Sequence, residues 1–153
     1  MIMSRRSFHI GLVRWCLLLL FGLAAIELRA EDLNIEAQLI WGTNADKSPN
    51  PSHKPVDQAT ADKLRKVFKW KNYFLVHKEK NTIIPSRTTK QITLSKKCAV
   101  EITELAGPKV EVKLIGEQIP VNKTVKSLSK GEWFVIAGDD KNESAWFVII
   151  RQN

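Results

Sequence analysis

Four charged residues, Asp139, Asp140, Lys141 and Glu143, stand between two runs dense in Trp, Phe, Val and Ile in GEWFVIAGDDKNESAWFVII (131–150). Clustered carboxylates can hold a cation or carry a proton. A calcium loop needs more oxygen ligands at set spacing, and this order lacks the D-x-D-x-D-G-x5-E pattern of an EF-hand. The stretch GDDKNES reads instead as a connection between antiparallel strands. Gly138 would supply a positive φ there, and Asp and Asn would bond their own backbone. No metal and no cofactor is expected.

A second candidate is a thiol–imidazole pair, Cys98 with His77, set on neighbouring strands. No nucleophile signature surrounds Cys98, and no oxyanion hole can be named. Lys96 and Lys97 would lower the thiol pKa if they stood close to it. Alternation places Cys98 with Val100 and Ile102 on one face, the pattern of a small buried hydrophobe. The sequence has no G-x-S-x-G, H-E-x-x-H, C-x-x-C or Gly-rich phosphate loop. Its carboxylates are scattered singly along the strands, so no glycosidase pair stands out. No catalytic residue is nominated, and an enzyme is not expected.

The third candidate is KLRKVFKWKNY, where Lys63, Arg65, Lys66, Lys69 and Lys71 interleave with Val67, Phe68, Trp70 and Tyr73. Charge plus stacking suits an anionic polymer, a glycan or a membrane surface. The binding residues would be Lys63, Arg65, Lys66, Lys69, Trp70, Lys71 and Tyr73. The competing reading sends the aromatic rings into the core and leaves the lysines to solvent. Trp41, Trp70, Trp133 and Trp146 would also suit sugar stacking, but three of them sit on strands whose alternation points them inward. Asn122-Lys-Thr and Asn142-Glu-Ser match the N-glycosylation acceptor pattern, which matters only in a eukaryotic source.

These residues need elements to hold them. IEAQLIW alternates, with Ile35, Ala37, Leu39 and Trp41 on one face and Glu36 and Gln38 on a solvent face. Residues 42–56, rich in Gly, Asn, Ser and Pro, read as a surface loop. Helical spacing follows over about 58–70, with Asp57 or Thr60 as cap and Leu64, Val67 and Phe68 on the apolar side.

From Asn72 the pattern is β. NYFLVHK is a strand, and NTIIPSRTTK is a short strand and turn broken by Pro85. QITLSKKCAVEIT gives one or two strands with a kink at Ser95–Lys97. Ala106–Pro108 is a turn, and KVEVKLIG turns Val110, Val112 and Leu114 inward. EWFVIA and WFVII are apolar on both faces and belong in the middle of a layered structure, with the helix on one side. Seven to nine strands at this spacing predict a mainly β fold, a small antiparallel sandwich or barrel with one amphipathic helix.

The first 30 residues read as a cleavable signal peptide. Arg5, Arg6 and Arg14 precede an apolar run from Trp15 to Ile26. Twelve helical residues rise about 18 Å, short of the roughly 20 residues of a membrane span. Cleavage is expected after Ala30; an uncleaved membrane anchor is the alternative. SRRSFHI resembles the twin-arginine export signal at Ser4, Arg5, Arg6 and Phe8, while the LLLLF core suits the general secretory route.

Residues 31–153 then form a single domain with 20 of the 24 basic and 15 of the 16 acidic residues, a balance of +5. That charge suits an anionic envelope surface; nucleic acid is not favoured. Cys98 is the one cysteine after residue 30 and has no internal disulfide partner.

LRKVFKWKNY, KGEWFVIAGDD and AWFVII together resemble small exported bacterial β-domain proteins without assigned activity, with Ala137 at one of their glycine positions. That resemblance implies a fold and an envelope setting and carries no catalytic residue. The expectation is an exported, periplasmic or extracellular domain that acts by binding, as an accessory component of an envelope or surface protein assembly. The alternative is anionic polymer or glycan recognition through the basic aromatic stretch.

Overall fold

Neither face of the first strand, β1 (Leu33–Thr43), meets much water. Ile35, Ala37 and Leu39 are buried on one side and Ile40 on the other. This strand is the hub of a computed structural model that describes residues 31–105, 107–141 and 143–153. The leader, with its arginine pair and proposed cleavage point, lies outside them.

After β1 come β2 (Lys54–Pro55), the helix α1 (Gln58–Arg65) and β3 (Asn72–Ile84). Then follow β4 (Thr89–Ser95), β5 (Cys98–Glu104), β6 (Lys109–Gly116) and β7 (Ile119–Ser127). A hairpin of β8 (Trp133–Lys141) and β9 (Ser144–Gln152) closes the chain. One sheet has the order β2-β3-β1-β9-β8 and the other β4-β5-β6-β7. Every pairing is antiparallel. The fold is a small β-sandwich with one short helix.

Two apolar layers result. Between the sheets, Ile35, Ala37, Val148 and Ile150 meet Val100, Ile102, Val112 and Leu114. On the far side of the five-stranded sheet, Leu64 and Ala61 of α1 pack with Ile40, Phe147 and Ile149. Central strands β1 and β9 are therefore covered on both faces, as their two-sided apolar pattern requires. No helix among the described residues is long and apolar enough to cross a membrane.

Several expectations need correction. Of the closing pair, only β9 is central; β8 is an edge strand. Trp146 is half-buried against the inter-sheet core. Glu36 and Gln38 are buried, not solvated, because their face of β1 lies under neighbouring side chains. The helix stops at Arg65, where the Val67 and Phe68 amides both turn back to the Leu64 carbonyl. That early exit leaves Val67 74% exposed.

Residues 42–56 are not all loop, since Lys54 and Pro55 pair with Leu75 and Phe74. Asn72–Ile84 is one unbroken strand, with Pro85 just beyond its end. The acidic stretch is strand as far as Lys141, with Asp140 opposite Ala145. Gly138 lies outside the positive-φ glycines, which are Gly107 and Gly131. Space, not φ, makes position 138 a glycine: an added Cβ would stand 2.2 Å from Trp146 Cε2.

Candidate binding surfaces

The basic aromatic stretch is built from its cap onward. Asp57 accepts the Thr60 amide at 2.9 Å and the Thr60 hydroxyl at 2.8 Å, satisfying an amide that the first turn leaves unpaired. Those bonds, the backbone one first, hold the Asp57 carboxyl below its usual range. Past the helix, Phe68 tilts against Phe147 with ring centroids 4.4 Å apart. Trp70 occupies the space over Gly42, where a Cβ would come within 3.0 Å of Trp70 Cδ1 and 2.7 Å of Phe147 Cε2. Trp70 and Tyr73 are both buried, so neither ring is offered for stacking.

The cations stay outside. Arg65 donates to Asp62 at 3.0 Å and to the Lys71 carbonyl at 3.1 Å. Lys63 Nζ lies 4.8 Å from the Trp133 ring centroid, and Lys69 Nζ lies at the same distance from that of Trp70. Lys66 and Lys71 are exposed. The sequence thus places a basic rim here, while its stacking partners serve the fold.

Cys98 is buried, and burial pushes its thiol up to about 12, so Lys96 and Lys97 do not activate it. His77 is exposed on β3, 3.5 Å from the Glu79 carboxylate. The imidazole that shares a cavity with Cys98 is His53. Among the described residues, no three His, Cys, Asp or Glu side chains converge as a cation site would need.

That cavity was not legible in the sequence. It opens at one end of the sandwich, where the β4–β5 and β6–β7 turns meet β1, β9 and the loop holding His53. Its volume is about 680 Å³, and Leu39, Trp41, Val76, Cys98, Val121 and Trp146 supply most of its apolar wall. The two turns are tied by the Glu117 amide donating to the Lys97 carbonyl at 2.8 Å and by a Lys97–Glu117 ion pair at 3.0 Å.

A second unforeseen feature is the outer edge of β7. Across from the buried Val110, Val112 and Leu114 of β6, β7 sets Lys126, Thr124 and Asn122. The apolar layer therefore ends at β6. Ile119, Val121 and Val125 of β7 remain 66%, 42% and 50% exposed.

A third lies on the helix side of β1. Glu36 accepts Gln38 Nε2 at 2.7 Å and Lys78 Nζ at 2.8 Å, with Arg151 opposite it on β9. Burial pushes Glu36 up, but the bonds from Lys78 and Gln38 and the charges of Lys78 and Arg151 outweigh it and leave the carboxyl low. Two buried polar atoms, Asn34 Oδ1 two residues before Glu36 and Arg151 Nε on the paired strand, lack a hydrogen-bond partner. No protein-family model, no curated protein and no solved structure matches the chain.

Proposed function

We propose that this chain is a non-catalytic interaction domain, an accessory component of an envelope or surface protein assembly, and that β7 is the strand it offers its partner. The observation that carries this reading is an edge strand with Ile119, Val121 and Val125 in solvent. Such an edge has one row of backbone donors and acceptors without a strand beside it, and an extended segment can add there. Lys123 and Lys126 lie on the same strand, Lys123 in an ion pair with Glu111 at 2.9 Å. Lys126 repels its copy on a second β7, and it complements an acidic segment.

The export setting rests on Arg5, Arg6 and the apolar Trp15–Ile26 run. Binding is supported over catalysis by the high thiol pKa of Cys98 and by the placement of Cys98 and His77 in different sheets. Polymer or glycan binding through the basic stretch is the weaker reading, because Trp70 and Tyr73 are occupied in the core.

The test is crosslinked affinity capture of residues 31–153 from envelope extracts of the native host, with crosslinks mapped by mass spectrometry. One reproducible partner crosslinked within 119–127, and lost in Val125→Lys, supports the reading. A partner retained by Val125→Lys but lost in Lys66→Glu moves the site to the basic rim and overturns it. So does capture of polymer alone.

A further inference from the structure

We propose that the cavity at the open end of the sandwich is a binding site for a long-chain carboxylate. The chain would lie among Leu39, Trp41, Val76, Cys98, Val121 and Trp146, and its head group would meet Lys97 and His53 at the mouth. This inference does not rest on the β7 proposal, although Ile119 and Val121 both line the cavity and belong to both features.

Size is the first argument. The cleft is open to solvent at its mouth and holds about 680 Å³. It falls within the roughly 300–1,000 Å³ of small-molecule pockets, which are apolar with a few placed polar groups. The space is also held open. Trp146 is seated by contact with Gly138 and stands 3.3 Å from where a Gly116 Cβ would be. The Glu117 amide, bonded to the Lys97 carbonyl at 2.8 Å, fixes the two turns on the other side.

Lys97 selects the head group. The lining has one ammonium, Lys97, one carboxylate, Glu117, and the His53 imidazole as a hydrogen-bonding group. The Lys97–Glu117 pair is largely exposed, at 78% and 68%. An exposed pair contributes little by itself, so Lys97 can exchange Glu117 for a ligand carboxylate at small cost. The His53 ring is oriented from behind, its Nδ1 lying 2.7 Å from Ser48 Oγ. Cys98 contributes as a protonated, apolar wall group.

The probe is monomeric palmitate, titrated into residues 31–153 by calorimetry and by the emission of the wall tryptophans Trp41 and Trp146, with hexadecanol as neutral control. The expected result is saturable binding of one palmitate per chain. Palmitate should bind more tightly than hexadecanol by roughly tenfold, the scale of one charge-assisted hydrogen bond. Lys97→Glu should remove that preference.

Val121→Trp, at an exposed wall position, should weaken palmitate at least as much by filling the space. Val125→Lys, which tests the β7 proposal, should leave palmitate binding unchanged. Circular dichroism checks that each variant folds, and Ile119→Trp replaces Val121→Trp if that one does not. Absence of saturable binding overturns the proposal, as does undiminished binding by the folded filling variant. Equal affinity for palmitate and hexadecanol overturns the head-group assignment.

Discussion

Trp146 lies where the side chain of residue 138 would otherwise be: a Cβ on Gly138 would stand 2.2 Å from Cε2 and 2.4 Å from Cζ2 of its indole. The contact crosses the β8–β9 hairpin and seats a ring that also walls the inter-sheet cavity. Gly138→Ala must therefore displace the ring or the strand. Overpacking of this kind costs about 1–3 kcal/mol, to be read as a lowered urea midpoint with unchanged slope. Because the residues touch, Trp146→Leu should recover part of that loss in the double variant. Strict additivity of the two changes would show that the ring does not depend on the glycine.

Cys98 makes a pH-dependent contribution whose sign is fixed. Its thiol titrates at about 12 in the folded chain against an ordinary 9.0. The folded state keeps a proton that the unfolded state releases between those values. Stability from this group is fully present below pH 9 and is lost as pH rises toward 12. The stability difference between wild type and Cys98→Ala should accordingly move against the wild type over that interval. At pH 8 a thiol reagent should label Cys98 only after denaturant is added; rapid labelling of the folded chain would place the thiol in solvent.

Glu36 behaves in the opposite sense. Its folded carboxyl sits below the ordinary 4.5, so its contribution is present above that pH and is lost as pH falls through the folded value. Lys78→Met removes the 2.8 Å partner and leaves a buried charge under-compensated. The expected cost at pH 7 is about 1.5–3 kcal/mol, the scale of a hydrogen bond to a charged group. The penalty should narrow below pH 4.5 as Glu36 takes up a proton. Chemical denaturation of both chains at pH 7 and pH 4 measures it, and a penalty that does not change with pH would assign the loss to the lysine's packing.

Much of the architecture was legible because it depends on local repeats. Val110, Val112 and Leu114 alternate and point inward, Asp57, one of the two cap candidates, caps the helix, and the kink expected at Ser95–Lys97 divides two strands. The errors share a cause, which is that one strand's pattern does not reveal what lies against its other face. Glu36 and Gln38 looked solvated because Lys78 and Arg151, which balance them, come from distant strands. Gly138 suggested a turn, but its role is set by a ring across the hairpin. Nothing in IPVNKTV says that β7 overhangs the core. The cavity was hidden most fully, since Leu39, His53, Cys98, Val121 and Trp146 meet only after both sheets close.

The helix tests whether the basic aromatic stretch serves the fold or a ligand. Leu64 is among the most fully buried side chains and fixes α1 over Ile40 and Phe147. Leu64→Ala should cost about 2–5 kcal/mol, from lost transfer energy plus the cavity left behind. Lys66 is exposed one position beyond the helix. Lys66→Ala should change stability by no more than about 0.5 kcal/mol, as surface substitutions do. Thermal unfolding separates these effects, and heparin retention at rising salt reads the charge on the same proteins. A modest, salt-sensitive loss in Lys66→Ala matches a basic rim without stacking rings. A loss of retention that persists at high salt would show that the rim grips its ligand by more than charge, and would return the anionic polymer to first place.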